Sequence, residues 1–570
     1  MVPDPAAGGD AVDVAETADV VVIGAGVTGA LVAWKLAAAG RRVVVLEAGP
    51  ERLDRSELVG AFARSIGKGS SAPYLGTPAD TQAPSPSESD GDGGHYDQAG
   101  TDPFLSTYER LAGGSTWHWL GNAPRLVPND FRLRSTYGVG VDWPISYDDL
   151  EPWYVEAERE LGVAGDADEW DGVLGAWRSA PFPMPPIWRS VGDKVVAEAL
   201  DGHVADGARL RVRRSPQARN SVPYQGRPPC AGNSSCVPIC PIGAKYDATV
   251  HLDQARRLPM PAEIRTRCVV TRLVPDGEGR IVRIRYDRWS EDGERRTPHE
   301  LAPELVVLAA HAIETPLLLL ASGLARQGPV GLHLMDHPQG FGGAILPQPV
   351  FPFRGPPVIS GIDELRDGDR RAERAAFRIS VGNDGWGRLE PPEQTVHHRI
   401  FDDGQLGPEL SAAINHRVTR MLRMSFSTEM LPDPGNRVEL AGHDAKGNPR
   451  PRLRFTVPDY NRRSFAEATA LLERLFDRLG AVETAYSYPD TPYYGAGHIM
   501  GTCRMGTDAR TSVVDHLGRA HEHPNLWLVG AALFPTIGTA NPTLTAAALA
   551  LRTADAIAGV PARHAAGASA

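Results

Sequence analysis

Cysteine is scarce: five residues in a chain of 570, too few for the disulfide frameworks that staple small secreted domains. No run of about twenty apolar residues occurs, the length a helix needs to cross a bilayer, so no membrane-spanning helix is expected. The N-terminus, MVPDPAAGGDAVDVAETAD, has neither a basic region nor a hydrophobic segment, which argues against a signal peptide. A cytoplasmic location is expected unless a partner subunit carries the chain outward. Basic charge is also in deficit, with 59 Lys and Arg against 70 Asp and Glu and a net charge of −11. That balance excludes a broad nucleic-acid surface. What remains, 42 % hydrophobic and 23 % charged, is the composition of a globular protein long enough for two domains. There is no internal repeat.

One stretch organises the rest. Residues 19–23 are apolar and β-branched, as in a strand buried on both faces. Gly24, Gly26 and Gly29 then spell G-x-G-x-x-G. The first glycine permits a tight turn, the second lets backbone approach a pyrophosphate, and the third allows close helix–strand packing. Residues 27–39 are proline-free with helical apolar spacing, and the N-terminus of such a helix can hold phosphate. Gly40 can end it, 42–46 reads as a second strand, and Glu47 follows 18 positions after Gly29. An acid there can accept hydrogen bonds from ribose hydroxyls. Together these features predict dinucleotide binding.

Further along, helices are expected at 149–161, 312–321, 462–479 and 543–557, and buried strands at 304–310 and 525–529. Segments 422–428, 437–440 and 452–457 alternate or are β-rich, suggesting antiparallel sheet. Residues 76–102 are rich in Pro, Ser, Gly and Asp and read as a mobile surface loop. The expected fold class is α/β, α+β overall. A discontinuous Rossmann-like nucleotide domain (18–135, 225–340 and 495–562) is interrupted by a substrate domain (140–225 and 340–495). The latter is read as mostly antiparallel sheet with flanking helices, and 1–17, 76–102 and 563–570 as flexible.

Two C-terminal stretches carry candidate chemistry: GHIMGTCRMG at 497–506 and NPTLT at 541–545. The His498 imidazole is suited to take a proton near neutral pH, and Asn541 supplies an amide. Cys230, Cys236 and Cys240 form C-x5-C-x3-C-P, a loop that suits an iron–sulfur cluster and equally a packed, redox-inert loop or a disulfide. Cys268 and Cys503 are expected in the interior.

With VVIGAGVTG, LEAGP, GGSTWHW (113–119), VVLAAHAIETPLLLLASG (306–323), LMDHP (334–338), HIMGTCRMG and NPTLT all present, the chain resembles the glucose–methanol–choline (GMC) flavoprotein oxidoreductases over nearly its whole length. Within them it is most similar to the pyranose and glycoside oxidases and FAD-dependent glucose dehydrogenases of bacteria, through STYERLAGGSTWHWLG, VPNDFRLRSTYGVGVDWPISYDDLEPWY and CAGNSSCVPICPIGAKYD. The resemblance implies an FAD enzyme that oxidises a secondary or anomeric CH–OH of a sugar or glycoside. His498 would be the base and Asn541 the partner on the same oxygen, with hydride passing to flavin N5 and oxygen or a quinone as acceptor. The alternative it implies is a dehydrogenase catalytic subunit that holds a three-iron (3Fe-4S) cluster on the three cysteines and passes electrons to a cytochrome partner. A scaffold flavoprotein would lack His498 or Asn541, and a purely NAD-dependent enzyme is disfavoured by that pair.

Cofactor contacts are expected from Gly24, Gly26, Gly29, Glu47, Gly113, Gly114, Ser115, His118, Asn122, Gly530, Pro542 and Thr543. His118 aligns with a histidine covalently attached to flavin in pyranose oxidases, whereas Trp117 before it matches the dehydrogenase-like members; both attachments stay open. Trp117 and Trp119 could stack on a sugar, Arg125 could lie near flavin or substrate, and Glu429 and Asn436 could bind sugar hydroxyls. Three departures stand out: His311 replaces a usual Gly, His333 a usual Asn, and Gly530 a usual Asp.

Overall fold

Valine-rich segments without polar alternation become strands buried on both faces. In the computed structural model, β1 (Glu16–Ile23), α1 (Val27–Ala38) and β2 (Val43–Leu46) build such a unit, and every residue of β2 is buried. The structure describes residues 16–51, 54–64, 95–117, 119–237, 239–324, 327–352, 354–384, 390, 392–444, 446–486 and 494–559. β1 pairs in parallel with β2 and with the long strand Arg296–Leu308, Val21 lying opposite Val44 and Val306. The C-terminal end of that long strand also pairs in parallel with Leu526–Leu528, while its N-terminal half runs antiparallel to Ile281–Trp289. Residues from the start, middle and end of the chain thus close one seven-stranded sheet. Helix α1 packs on it together with Thr543–Ala558, whose face of Ala547, Ala550 and Ala554 is buried.

The second seven-stranded sheet is antiparallel among Pro338–Ile345, Met421–Thr428, Phe377–Gly382, Val358–Ile362, Val212–Arg214, Glu483–Tyr486 and Tyr494–Gly495. Its two faces differ. Phe377, Ile379, Leu422, Met424 and Phe426 pack against Phe465, Leu472 and Phe476 of the helix Asp459–Arg478. Glycine at 340 is obligatory there, because a Cβ would sit 2.2 Å from the Phe426 ring. The opposite face is polar and looks toward the first sheet.

The expected loop at 76–102 is corrected at its C-terminal end. Asp97–Gly100 is a strand parallel to Pro449–Phe455. The Asp97 carboxylate accepts from Arg452 Nε at 2.8 Å, and the Phe104 ring packs 5.0 Å from that of Phe455. Glu16 and Thr17, read as flexible, pair with Leu301 and Ala302. Residues 1–15, 76–94 and 563–570 lie outside the described residues.

All three departures sit at positive φ, Gly530 at +105°. His311 (φ +69°) and His333 (φ +67°) both occupy the left-handed region, where Gly, Asn and His are the tolerated types. The His311 ring is stacked on Tyr108 with centroids 4.4 Å apart. His333 is buried, and burial, with Arg504 nearby, pushes its pKa down from 6.5 to about 4. Between those values the unfolded chain binds a proton that the folded chain does not, so acidification favours unfolding; above 6.5 the contribution is fully present. His333→Asn keeps a residue at home at positive φ and removes the titration. Denaturant unfolding of this variant is expected to lose on the order of 2 kcal/mol less than wild type on going from neutral pH to about 4.

Candidate active site

The three motif glycines each meet a distinct steric demand. Gly24 turns at φ +104°, and a Cβ there would lie 2.5 Å from the Ala309 carbonyl oxygen. A Cβ on Gly29 would stand 2.0 Å from the Gly24 oxygen, so this glycine sets how closely α1 approaches the turn. At Gly26 a Cβ would meet no protein atom within 4 Å; it would project into the cavity that the residue lines. The second glycine loop abuts the first: Gly113 donates its N–H to Ala25 O at 3.0 Å, and Gly114 faces the Gly26 Cα. Glu47 closes the cradle. Its carboxylate accepts from Ala25 N at 2.7 Å and Gly49 N at 2.8 Å, leaving further lone pairs toward the cavity. Burial raises its pKa from the ordinary glutamate value. Backbone open to the cavity, a helix N-terminus and a buried acid together fit the diphosphate and ribose of a dinucleotide such as FAD.

The cavity, about 580 Å³, runs from Gly26 and Glu47 at one end to His498 and Asn541 at the other. Ser115, Trp119, Asn122, Gly530, Pro542 and Thr543 line its length. The polar face of the second sheet forms the far wall. Register places Gln339, Ser427 and Arg378 side by side across three strands, with Ser380 opposite Ser425 in the next row. Two-residue periodicity is the cause: positions alternating with the buried Phe377, Ile379, Met424 and Phe426 must face the other way. Gln339 Nε2 donates to Ser427 Oγ at 3.0 Å.

Where the two sheets meet, His498 and Asn541 converge, Asn541 Nδ2 lying 3.2 Å from His498 Nε2. The orientation of the amide is determined by Arg378, whose Nη1 donates to Asn541 Oδ1 at 3.4 Å and which has no acceptor to offer. Arg378 is itself held by Asp363 at 3.2 Å and Ser215 at 2.9 Å. His498 Nδ1 lies 2.9 Å from His337 Nδ1. Removal from water, with the His337 ring and the Arg378 charge close by, holds the pKa of His498 well below the usual histidine value. Its imidazole is therefore neutral at physiological pH, the form that can accept a proton.

Other predicted residues lie elsewhere. Glu429 is corrected: it is not part of the cavity wall. Its buried carboxylate accepts from Arg371, from Tyr460 OH and from Ala376 N, so it neutralises a buried guanidinium. Asn436 pairs through its amide with both backbone groups of Thr456. Arg125 is buried between Glu151 and Glu158. Trp117 turns away from the cavity into a cluster with Leu58, Leu111 and Ile239. Gly113 acts through packing against Trp117 and Thr249 rather than as lining. His118 lies outside the described residues. Cys268 and Cys503 are buried.

All five cysteines are free, which removes the disulfide alternative. Each thiol of the cysteine loop receives an N–H: Cys230 from Gly232 N at 3.3 Å, Cys236 from Arg219 Nη2 at 3.2 Å, and Cys240 from Lys245 N at 3.5 Å. Arg219 and Lys245 are fully buried, and neither makes an ion pair with a carboxylate among the described residues. As placed, the described residues contain no group of three His, Cys, Asp or Glu able to hold a metal ion. Burial raises the pKa of the Cys236 thiol, whereas neighbouring N–H groups and cations hold that of Cys240 below the usual value, and as placed the three thiols are not grouped as a metal-ligand set.

Sequence reasoning missed Asp336, His337 and Arg378 as parts of the site. The first two stand within the LMDHP stretch, and Arg378 is the polar member of an otherwise apolar strand segment, FRI. Those were the available signals.

Comparison with known proteins agrees with this geometry. Family models described as GMC oxidoreductase match residues 432–550 and 213–339, and one described as FAD dependent oxidoreductase matches 19–56. The chain is 37 % identical to the fructose dehydrogenase large subunit of Gluconobacter japonicus, covering 95 % of this chain and 98 % of that one. It is 31 % identical to paromamine 6'-oxidase of Streptomyces fradiae, over 95 % and 91 %. The crystal structure of pyridoxine 4-oxidase from Mesorbium loti shares the fold, with a TM-score of 0.62 at 20 % identity over 95 % of this chain and 99 % of that one.

The glycine geometry separates binding from folding. Gly26→Ala is expected to unfold within about 1 kcal/mol of the wild-type apoprotein while losing at least tenfold in FAD affinity, read from flavin absorbance after gel filtration. Gly29→Ala is expected to lose both, at a cost of roughly 3 kcal/mol in denaturant unfolding.

Proposed function

Because this chain belongs to the GMC oxidoreductase family, FAD-dependent enzymes acting on CH–OH groups, we propose that it oxidises a secondary or anomeric CH–OH of a neutral sugar or glycoside. The observation that carries this reading is the single cavity joining the nucleotide cradle to the His498–Asn541 pair. An alcohol does not ionise unaided near neutral pH, so a base must take its proton as the C–H bond breaks. His498 Nε2 is placed to accept that proton, and the second N–H of Asn541 to hold the same oxygen. When bound, the cofactor supplies the two-electron acceptor for the hydride of that carbon. The rows of Gln339, Ser380, Ser425 and Ser427 offer donors and acceptors to several hydroxyls at once, and Trp119 offers an apolar face. On this wall Arg423 is paired with Asp384, whereas Arg378 shares Asp363 with the buried Arg366, so positive charge is in excess there. That excess disfavours a cationic aminoglycoside, and the neutral donors and acceptors of the rows call for no charge on the substrate. The relatives whose names specify a fructose dehydrogenase and a paromamine oxidase support carbohydrate-like substrates in general. Oxygen or a quinone completes the cycle in this reading.

A second reading makes the chain the cluster-bearing catalytic subunit of a dehydrogenase with a cytochrome partner. The observation in its favour is the pair of buried cations, Arg219 and Lys245, beside three free thiols. Stoichiometric iron and acid-labile sulfide in purified protein would support it. Their absence, with peroxide released during turnover, would leave oxygen as the acceptor.

The main test is anaerobic addition of a panel of neutral sugars, aminoglycosides and aldonates while flavin absorbance is followed. Neutral sugars are expected to bleach the flavin, and the aminoglycosides to do so at least tenfold more slowly. His498→Ala is expected to retain flavin and reduce it about 10²- to 10⁴-fold more slowly; reduction at the wild-type rate removes His498 from the mechanism. The pKa of His498 is depressed, so its basic form persists on acidification. The reduction rate is accordingly expected to stay flat from neutral into mildly acidic pH, and to fall only below the ordinary histidine range.

A further inference from the structure

We infer that His337 is a positioning residue that, with the Asn541 N–H on the other side of the ring, fixes which nitrogen of His498 carries the proton, leaving the lone pair on Nε2, the nitrogen at the cavity. The inference rests on the reading of His498 as the base and adds the device that makes it one. It follows from hydrogen-bond direction alone. His337 Nε2 lies 3.2 Å from the carbonyl oxygen of Gly538, and a carbonyl can only accept. In the neutral ring Nε2 therefore carries the hydrogen and Nδ1 carries the lone pair. His498 Nδ1 faces that lone pair at 2.9 Å, so it must be the donor, and the lone pair of His498 falls on Nε2.

The reverse arrangement would set the bare Nε2 of His337 against a carbonyl oxygen, two acceptors in contact inside the protein. Burial keeps His337 neutral, its pKa pushed down to about 4. The geometry is held from both sides. Met335 and Met500 exchange both backbone hydrogen bonds, at 3.0 and 2.9 Å, which brings the two histidine segments into register. One oxygen of Asp336 accepts from His337 N at 2.6 Å and His498 N at 2.9 Å. The two rings meet edge to face, with centroids 5.0 Å apart and planes at 89°. The carbonyl that starts the chain belongs to Gly538, at φ +60°, where a Cβ would lie 2.4 Å from Leu126; the turn that aims it requires glycine.

The consequence is functional as well as geometric. When His498 accepts the substrate proton at Nε2, the new imidazolium already donates through Nδ1 to a neutral acceptor, so on that side of the ring the charge develops against a partner already in place. The role parallels that of a carboxylate orienting a catalytic histidine, with an uncharged imidazole in its place.

The test reads the tautomer directly. In flavin-loaded protein with ¹⁵N-labelled histidine, the His498 signals are identified by their absence in His498→Ala. His498 is expected to be protonated at Nδ1 and bare at Nε2, and His337 the reverse. His337→Phe keeps a ring but offers no acceptor, and is expected to retain flavin while reducing it about 10²-fold more slowly at an unchanged half-saturating sugar concentration. In His337→Gln one amide group can accept from His498 and the other donate to Gly538, and its rate is expected within tenfold of wild type. A proton on Nε2 of His498 in the wild-type protein overturns the inference. So does wild-type reduction in His337→Phe, or equal slowing in the Phe and Gln variants. Should the Phe variant fail to accumulate, the wild-type spectrum alone decides. That spectrum needs no substrate, so it stands or falls separately from the proposed sugar oxidation.

Discussion

The buried carboxylate of Asp336 is the point on which this site turns. One of its oxygens takes the backbone N–H of His337 and of His498, and the other accepts the hydroxyl of Ser106. Ser106 Oγ in turn accepts from Gly497 N at 3.2 Å. Three donors from three distant parts of the chain thus converge on one fully buried acid, and the Gly497 N–H reaches it through Ser106. A carboxylate in such a place is tolerated only when hydrogen-bonded throughout. The requirement works in reverse as well: because it must be saturated, the segments that saturate it are held in one arrangement. His498 acquires its position from this demand, since no helix or strand carries it.

The rest of the site is built by regular elements used in the ordinary way. A parallel sheet presents its turns and helix N-terminus at one end, which is where such sheets bind nucleotides. An antiparallel sheet buries one face and leaves the other polar, and here the polar face is turned inward onto the cavity. The lining of the cavity and the stability of the fold are therefore carried by alternate residues of the same strands. A residue inserted into Phe377–Gly382 would exchange the two sets and destroy both.

Much of this was legible in the sequence. The nucleotide unit was, because strand, glycines, helix and acid are local and each has a steric reason. The long amphipathic helix was readable from its period, and the pairing of His498 with Asn541 from resemblance. Residues whose role depends on a partner far along the chain were harder. Glu429 ends a strand and looks free to bind a sugar; nothing local announces that Arg371 and Tyr460 occupy its oxygens. His337 lies 161 positions from the ring it orients. At 76–102 the polar composition outweighed Tyr96, which with Phe104 just beyond is buried and ties the end of that segment to the strand Pro449–Phe455. His311 and His333 looked like changes of chemistry and are accommodated through the backbone: both sit at positive φ, where histidine is among the few side chains tolerated.

The cysteine loop and the segment that the resemblance places against the flavin are mechanically one unit. Lys245 Nζ donates to the carbonyls of Trp117 at 2.8 Å, Trp119 at 2.6 Å and Cys236 at 2.8 Å. Three carbonyls satisfy every hydrogen of the ammonium without cancelling its charge. Burial pushes its pKa down to about 8, so the cation persists at neutral pH. The Cys240 thiol shows the effect of that charge: burial alone would raise its pKa, but the Lys245 N–H and ammonium, together with the Ile242 N–H and the Arg219 charge, hold it below the usual thiol value. A neutral side chain at 245 would leave the carbonyls of Trp117 and Trp119 unpaired in the interior and release the thiolate-stabilising field together with them. The geometry of the cofactor segment and the electrostatics of the sulfur loop cannot be altered independently.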